Sequence, residues 1–126
     1  MSQSYPDLID DLNAAIGNLR AGAPEPMRGF SMLAREALKP GALDVKTKEL
    51  LGLVASMVLR CDDCISYHVA QCKEAGVTRE EFFETFSVGL VVGGSIVIPH
   101  LRRAVDLLDQ LESGAENDPA SCADHV

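Results

Sequence analysis

The sequence predicts an all-α fold of about six helices, and three observations carry that prediction. Apolar residues recur at helical spacing along nearly the whole chain, and no stretch sustains the alternation that a half-buried strand requires. Recognisable helix caps and stops punctuate the apolar segments. A chain of 126 residues is long enough to bury one core without disulfide staples. We therefore expect one helical domain over residues 1–112 and a disordered tail over 113–126, where "SGAENDPASCADHV" is polar, acidic and rich in small residues.

The first helix is expected over Pro6 to Arg20, with Leu8, Leu12, Ala15, Ile16 and Leu19 on one face, ending at "AGAPEP". Pro24 and Pro26 suit the first turn of a second helix that runs to Leu38 and stops at "KPG". Asp44 can cap a third helix, in which Leu50, Leu53, Val54 and Met57 form the apolar stripe. A fourth runs from about Asp62 to Ala75, with Gly76 as its stop, and Thr78 with Glu81 makes a capping box for a fifth. The fifth carries Phe82, Phe83 and Phe86 as a core stripe and leads into Gly93 and Gly94. The last helix is expected from Ser95 to Leu111, with Pro99 sharpening or kinking its start.

Charge and composition narrow the function classes. Eleven basic residues against 19 acidic ones give a net charge of −8, which phosphate backbones and anionic lipid surfaces would repel. Nucleic-acid and membrane partners are thereby disfavoured. The longest apolar run, "VGLVVGGSIVI" from Val88 to Ile98, falls short of the ~20 residues that span a bilayer. It is expected to be buried, and the natural place is between the subunits of a homo-oligomer. The acidic start "MSQSYPDLIDDLNAA" does not match a signal peptide, and four cysteines are too few and too unevenly spaced for a secreted scaffold, so a reducing cytoplasm is the expected compartment.

Chemistry concentrates in "LRCDDCISYHVA", residues 59–70. On a helix, positions three and four apart share a face, so Cys61, Cys64 and His68 line one stripe and the imidazole can reach a thiol. A Cys-x-x-Cys pair at a helix start is a way to make a reactive dithiol, because unsatisfied N–H groups and the helix dipole favour thiolate. Asp62 and Asp63 oppose this, leaving His68 and Arg60 to offset them. Glu49 is the one carboxylate that the pattern buries in "KTKELLGLVASMVLRC". In one continuous helix it would lie ~18 Å from Cys61 at 1.5 Å per residue, beyond any proton relay. It matters only if the third helix ends near Leu59 or Arg60 and the fourth folds back; the carboxylate could then orient His68 directly or through one water.

The combination of Glu49, Cys61, Cys64 and His68, embedded in "KELLGLVASMVLRCDDCISYHVAQCKEAGVTREEFFE", resembles the signature of alkyl hydroperoxidase D (AhpD)-like proteins of the carboxymuconolactone decarboxylase superfamily. The resemblance covers residues 25–112, and "GLVVGGSIVIPH" is similar to that family's glycine-containing helix junction. It implies an all-α homo-oligomer, a trimer or hexamer, that reduces hydroperoxides through a thiol–disulfide cycle. Carried over by position, Cys64 is the cysteine activated by His68, Cys61 its disulfide partner, and Glu49 the start of a proton relay through His68. The family's reductant is a lipoylated protein, and no cofactor or resident metal is implied. This chain has Asp63 where the best-studied members carry a histidine between the cysteines.

Two other readings stay open at the level of sequence. A decarboxylase-type lyase would use Glu49 and His68 to move protons on a small acid, with the cysteines secondary. A zinc module would take Cys61, Cys64 and His68 as three ligands and Cys72 or His100 as a fourth. Taken singly, Cys72 reads as core, Cys122 as an incidental tail thiol, His100 as a surface or interface residue, and Tyr67 as a packing residue whose hydroxyl could line the pocket.

Overall fold

The structure is a computed structural model, and it describes residues 4–114. The described residues hold six α-helices and one short 3-10 turn, and none of these residues is in a strand. The helices are α1 (Tyr5–Gly22), α2 (Pro24–Leu38), α3 (Val45–Leu59), α4 (Asp62–Glu74), α5 (Arg79–Gly93) and α6 (Ile98–Gly114). The tail beyond residue 114, including Cys122, lies outside the described residues. Ser113 and Gly114 extend the last helix past its expected end, since nothing before Gly114 breaks it and the Ser113 hydroxyl donates to the Gln110 carbonyl oxygen at 3.1 Å.

The caps form where the sequence puts them. Asp44 Oδ1 accepts from the Thr47 backbone N–H at 2.8 Å, and this bond holds the Asp44 carboxyl below its ordinary range. Thr78 and Glu81 complete the reciprocal capping box of α5. The Lys46 ammonium donates to Glu81 at 2.8 Å, ties α3 to the start of α5, and is the main cause of the lowered Glu81 pKa. Gly76 ends α4 with φ of +88°.

At the centre stands α3, packed on α4 and α5, with α4 packed in turn on α6. Leu53, Met57, Ile65, Val69, Cys72, Phe82, Phe86 and Leu108 form the heart of the core. One expectation fails here: Phe83 is 42% exposed, because it sits about 100° round the helix from the fully buried Phe82, on the outer side of Phe86. Its ring meets Phe86 edge-on and carries the Arg79 guanidinium 5.1 Å from its centroid. The first two helices pair with each other and cover the bundle loosely; α2 has no buried residue, and Ala15 and Leu19 of the α1 stripe stay exposed.

The Val88–Ile98 segment is expected to be buried between subunits. Within one chain it is mostly uncovered: Gly89 and Val97 are buried, but Val91 is 79% and Val92 63% exposed. Buried glycine at 89 lets α5 approach Met57 closely, since a Cβ there would come within 2.6 Å of the sulfur. Residues Ser95–Val97 form the 3-10 turn, and α6 begins at Ile98 with Pro99 in its first turn, so proline marks the change of helix type.

Gly94 links the two segments with φ +83° and ψ −178°, a region essentially closed to other residues, and open space surrounds its Cα. Gly94→Ala is therefore expected to lower folding stability by about 1–3 kcal/mol through backbone strain alone. Urea unfolding at neutral pH measures it, with an unchanged m-value expected.

Candidate active site

Everything at the site follows from how α3 ends. Arg60 closes α3 in the left-handed conformation, φ 59° and ψ 41°, a place usually taken by glycine. Its N–H and that of Cys61 return to the carbonyls of Met57 and Ser56 at 3.0 and 3.1 Å. The chain reverses within two residues, and α4 folds back along α3.

That reversal makes Cys61 the N-cap of α4, with its Sγ accepting from the Cys64 backbone N–H at 3.2 Å. The two sulfurs are joined as a disulfide, with Cα atoms 5.2 Å apart, inside the range that a bridge requires. Both cysteines therefore sit where unpaired helix N–H groups favour a thiolate once the bridge is opened. One turn further on, His68 Nδ1 meets Glu49 Oε1 at 2.7 Å, with no water needed between them. Glu49 is 3% exposed, so α3 carries a buried carboxylate whose partner comes from α4. An ionised carboxylate can only accept, which assigns the Nδ1 proton to the imidazole and leaves Nε2 as the acceptor.

His68 and Cys64 line an apolar cavity of about 310 Å³ together with Tyr67, Leu12, Met27 and Phe30. The first two helices thus supply the wall and α4 the reactive groups. A second cavity of about 300 Å³ touches Glu49, Arg35, Tyr67 and Gln71, so His68 borders one cavity and its carboxylate partner the other. Tyr67 lines both and meets the His68 ring edge-on at 5.2 Å.

Cys72 is fully buried beneath this pair. Burial, reinforced by the Glu49 charge, pushes its thiol up to about 12. His100 does not join the site: its Nδ1 meets Asp62 Oδ1 at 2.7 Å, and Arg103 holds the other Asp62 oxygen at 2.6 Å. No group of three or more His, Cys, Asp or Glu side chains among the described residues could hold a metal ion. No helix among them is long and apolar enough to cross a membrane.

Sequence reasoning expected Glu49, Cys61, Cys64 and His68 at one site; the structure pairs Glu49 with His68, bridges Cys61 to Cys64, and places Cys64 and His68 on one cavity. It missed two features, the clamp on Asp62 and the contact at Gly52. Arg103 and His100 reach Asp62 from 41 and 38 residues away, and no local pattern signals such a clamp. They neutralise one of the two acids that oppose thiolate formation. Gly52 lies against the His68 ring; its only signal was a glycine inside a helix, three residues after Glu49.

With this geometry established, the class of protein is defined. Residues 24–107 match the carboxymuconolactone decarboxylase family, and the chain belongs to it. Among solved structures it is similar to a family member from Thermotoga maritima, 48% identical with a TM-score of 0.79, over 86% of this chain and 93% of that one. A Legionella pneumophila family protein, solved in its apo form, is 35% identical with a TM-score of 0.74, over 86% of this chain and 95% of that one. An uncharacterized protein of Cupriavidus necator is 26% identical over 83% of this chain and 93% of its own length.

The burial of Cys72 gives a direct test. After reduction, alkylation of the native protein at pH 8.5 to 9 should modify Cys64 and Cys61 and leave Cys72 untouched until the chain is unfolded, as peptide mass spectrometry would show. The unfolded chain ionises Cys72 near 9.0 and the folded chain only near 12. Stability is expected to fall as pH rises through that window, and less steeply in Cys72→Ala.

Proposed function

We infer that this chain is a thiol-dependent peroxidase that reduces hydroperoxides through a Cys61–Cys64 dithiol. The observation that carries the reading is a bridged Cys-x-x-Cys pair at a helix start, one cysteine of which shares a cavity with a carboxylate-oriented imidazole. Cys64 rather than Cys61 lines that cavity, which supports Cys64 as the attacking group.

In the reduced protein, His68 Nε2 takes the Cys64 proton while Glu49 holds Nδ1. The thiolate attacks the outer peroxide oxygen, an S–O bond forms as the O–O bond breaks, and the departing alkoxide leaves as the alcohol with the proton from His68. Cys61 then attacks the Cys64 sulfenic acid, forming the disulfide and releasing water. An external dithiol, such as a lipoyl group on a partner protein, returns two electrons and two protons. The Thermotoga relative, for which a role in an antioxidative response has been suggested, supports the same chemistry.

The reading includes a cytoplasmic homo-oligomer, a trimer or hexamer, in which copies of the chain cover the exposed valines of α5. Light scattering of the purified protein is expected to give that mass.

The central test is peroxide consumption with a dithiol reductant. Cys64→Ser and Cys61→Ser should each abolish turnover, and Glu49→Gln should lower kcat/KM by about 10–100-fold, since positioned proton transfer contributes roughly 10²–10⁴. Wild-type rate in Cys64→Ser would eliminate the scheme.

A further inference from the structure

Glycine inside a helix needs a reason, because it is less stable there than alanine and gains nothing from helical dihedrals. Gly52 is in the middle of α3, and its backbone is ordinary helix with φ outside the positive range. What distinguishes it is its neighbour. A Cβ on Gly52 would lie 2.6 Å from Cε1 of His68 and 2.9 Å from both Nδ1 and Nε2. One whole edge of the imidazole therefore rests against a bare Cα. Gly17, Gly22 and Gly29, by contrast, have no atom within 4 Å of such a Cβ.

Neither side of this contact has room to yield without loss. On the ring side, Nδ1 is bonded to Glu49 at 2.7 Å, and Glu49 precedes Gly52 by three residues on the same helix face. Tyr67 closes on the ring from its own helix. On the backbone side, the Ser56 hydroxyl donates to the Gly52 carbonyl oxygen at 2.7 Å, and Ser56 is itself buried. A methyl group at position 52 would push the imidazole off the carboxylate that orients it.

We propose that Gly52 is a positioning residue: its missing side chain is the seat that lets His68 reach Glu49 and hold its acceptor nitrogen for the Cys64 proton. The consequence rests on the thiol chemistry inferred above, but the seat itself is a matter of geometry and is measured without peroxide.

The test is Gly52→Ala. Stability alone does not separate a merely structural role from a positioning one, since the helix gain of alanine is set against loss of the buried Glu49–His68 bond. The readouts are therefore taken on the folded variant. Wild type is expected to show the hydrogen-bonded Nδ1 proton signal of His68 in 15N NMR, and the variant to lose it. In the reduced protein, Cys64 alkylation by iodoacetamide at pH 7 should slow about tenfold with its pH midpoint moved upward, and His68→Ala should add no further loss. A folded Gly52→Ala that keeps both the Nδ1 signal and the wild-type alkylation profile overturns the proposal.

If Gly52→Ala does not fold, the double variant Gly52→Ala/His68→Ala decides, because the obstructed ring is gone. It should fold with a higher urea midpoint than His68→Ala alone; a double variant that also fails to fold overturns the proposal. A wild-type protein that consumes no peroxide, yet shows the Nδ1 proton and its loss in Gly52→Ala, sinks the peroxidase reading and upholds the seat.

Discussion

The hydrogen bond between Glu49 and His68 is the constraint on which the rest of this structure depends. A carboxylate that is 3% exposed is costly to bury unless a partner satisfies it, and among the described residues its hydrogen-bond partner comes from the neighbouring helix. The bond therefore fixes the register of α4 against α3. It also explains the turn between them: the connection must be short enough to return His68 to the level of Glu49, and Arg60 accepts a left-handed backbone to make it so. Folding and chemistry use the same contact, since the bond that satisfies the carboxylate also selects the imidazole tautomer with Nε2 free to accept a proton.

The electrostatics of the α4 start follow from the same reversal. With Cys61 as the cap and Cys64 in the first turn, the dithiol occupies the positive end of the helix dipole. Two aspartates in that turn work against a thiolate, yet the fold treats them differently. Asp62 is held between His100 and Arg103 of α6, which both offsets its charge and anchors the helix start to the bundle. Asp63 stays exposed at the mouth of the apolar cavity, where water screens it. The last helix thus takes part in the site without contributing a group to the cavity.

What could be read from the sequence was what local physics dictates. Asp44 before "VKTKE" and Thr78 three residues before Glu81 are caps whose bonds span only three residues, and both formed as expected. The Cys61, Cys64 and His68 stripe is likewise fixed by helical spacing. Glu49 was legible only as a conditional, since its use depended on a turn that arginine does not announce and glycine would have. Phe83 was misplaced because it lies about 100° round the helix from Phe82, which turns it to the edge of the apolar face. The Asp62 clamp and the seat at Gly52 were invisible for a common reason: each is a meeting of side chain and neighbour across two helices, and no single-helix pattern encodes it.

The distribution of burial also bears on how such a site can turn over. The reactive groups stand on α3 and α4, which carry Leu53, Met57, Ile65 and Val69 at the centre of the core, so their geometry is held by the most cooperative part of the fold. The cavity wall opposite them comes from α1 and α2, which bring no buried residue to the bundle among those whose burial is described and present Phe30 and Leu33 to solvent. Few contacts oppose displacement of that wall. A thiol cycle needs both properties at once: proton transfer requires His68 fixed against Glu49 within tenths of an ångström, whereas reduction of the bridge requires an outside sulfur to reach Cys64 in line with the S–S bond. Under the proposed thiol chemistry, separating the rigid pair of helices from the loosely held pair would let one small domain meet both requirements.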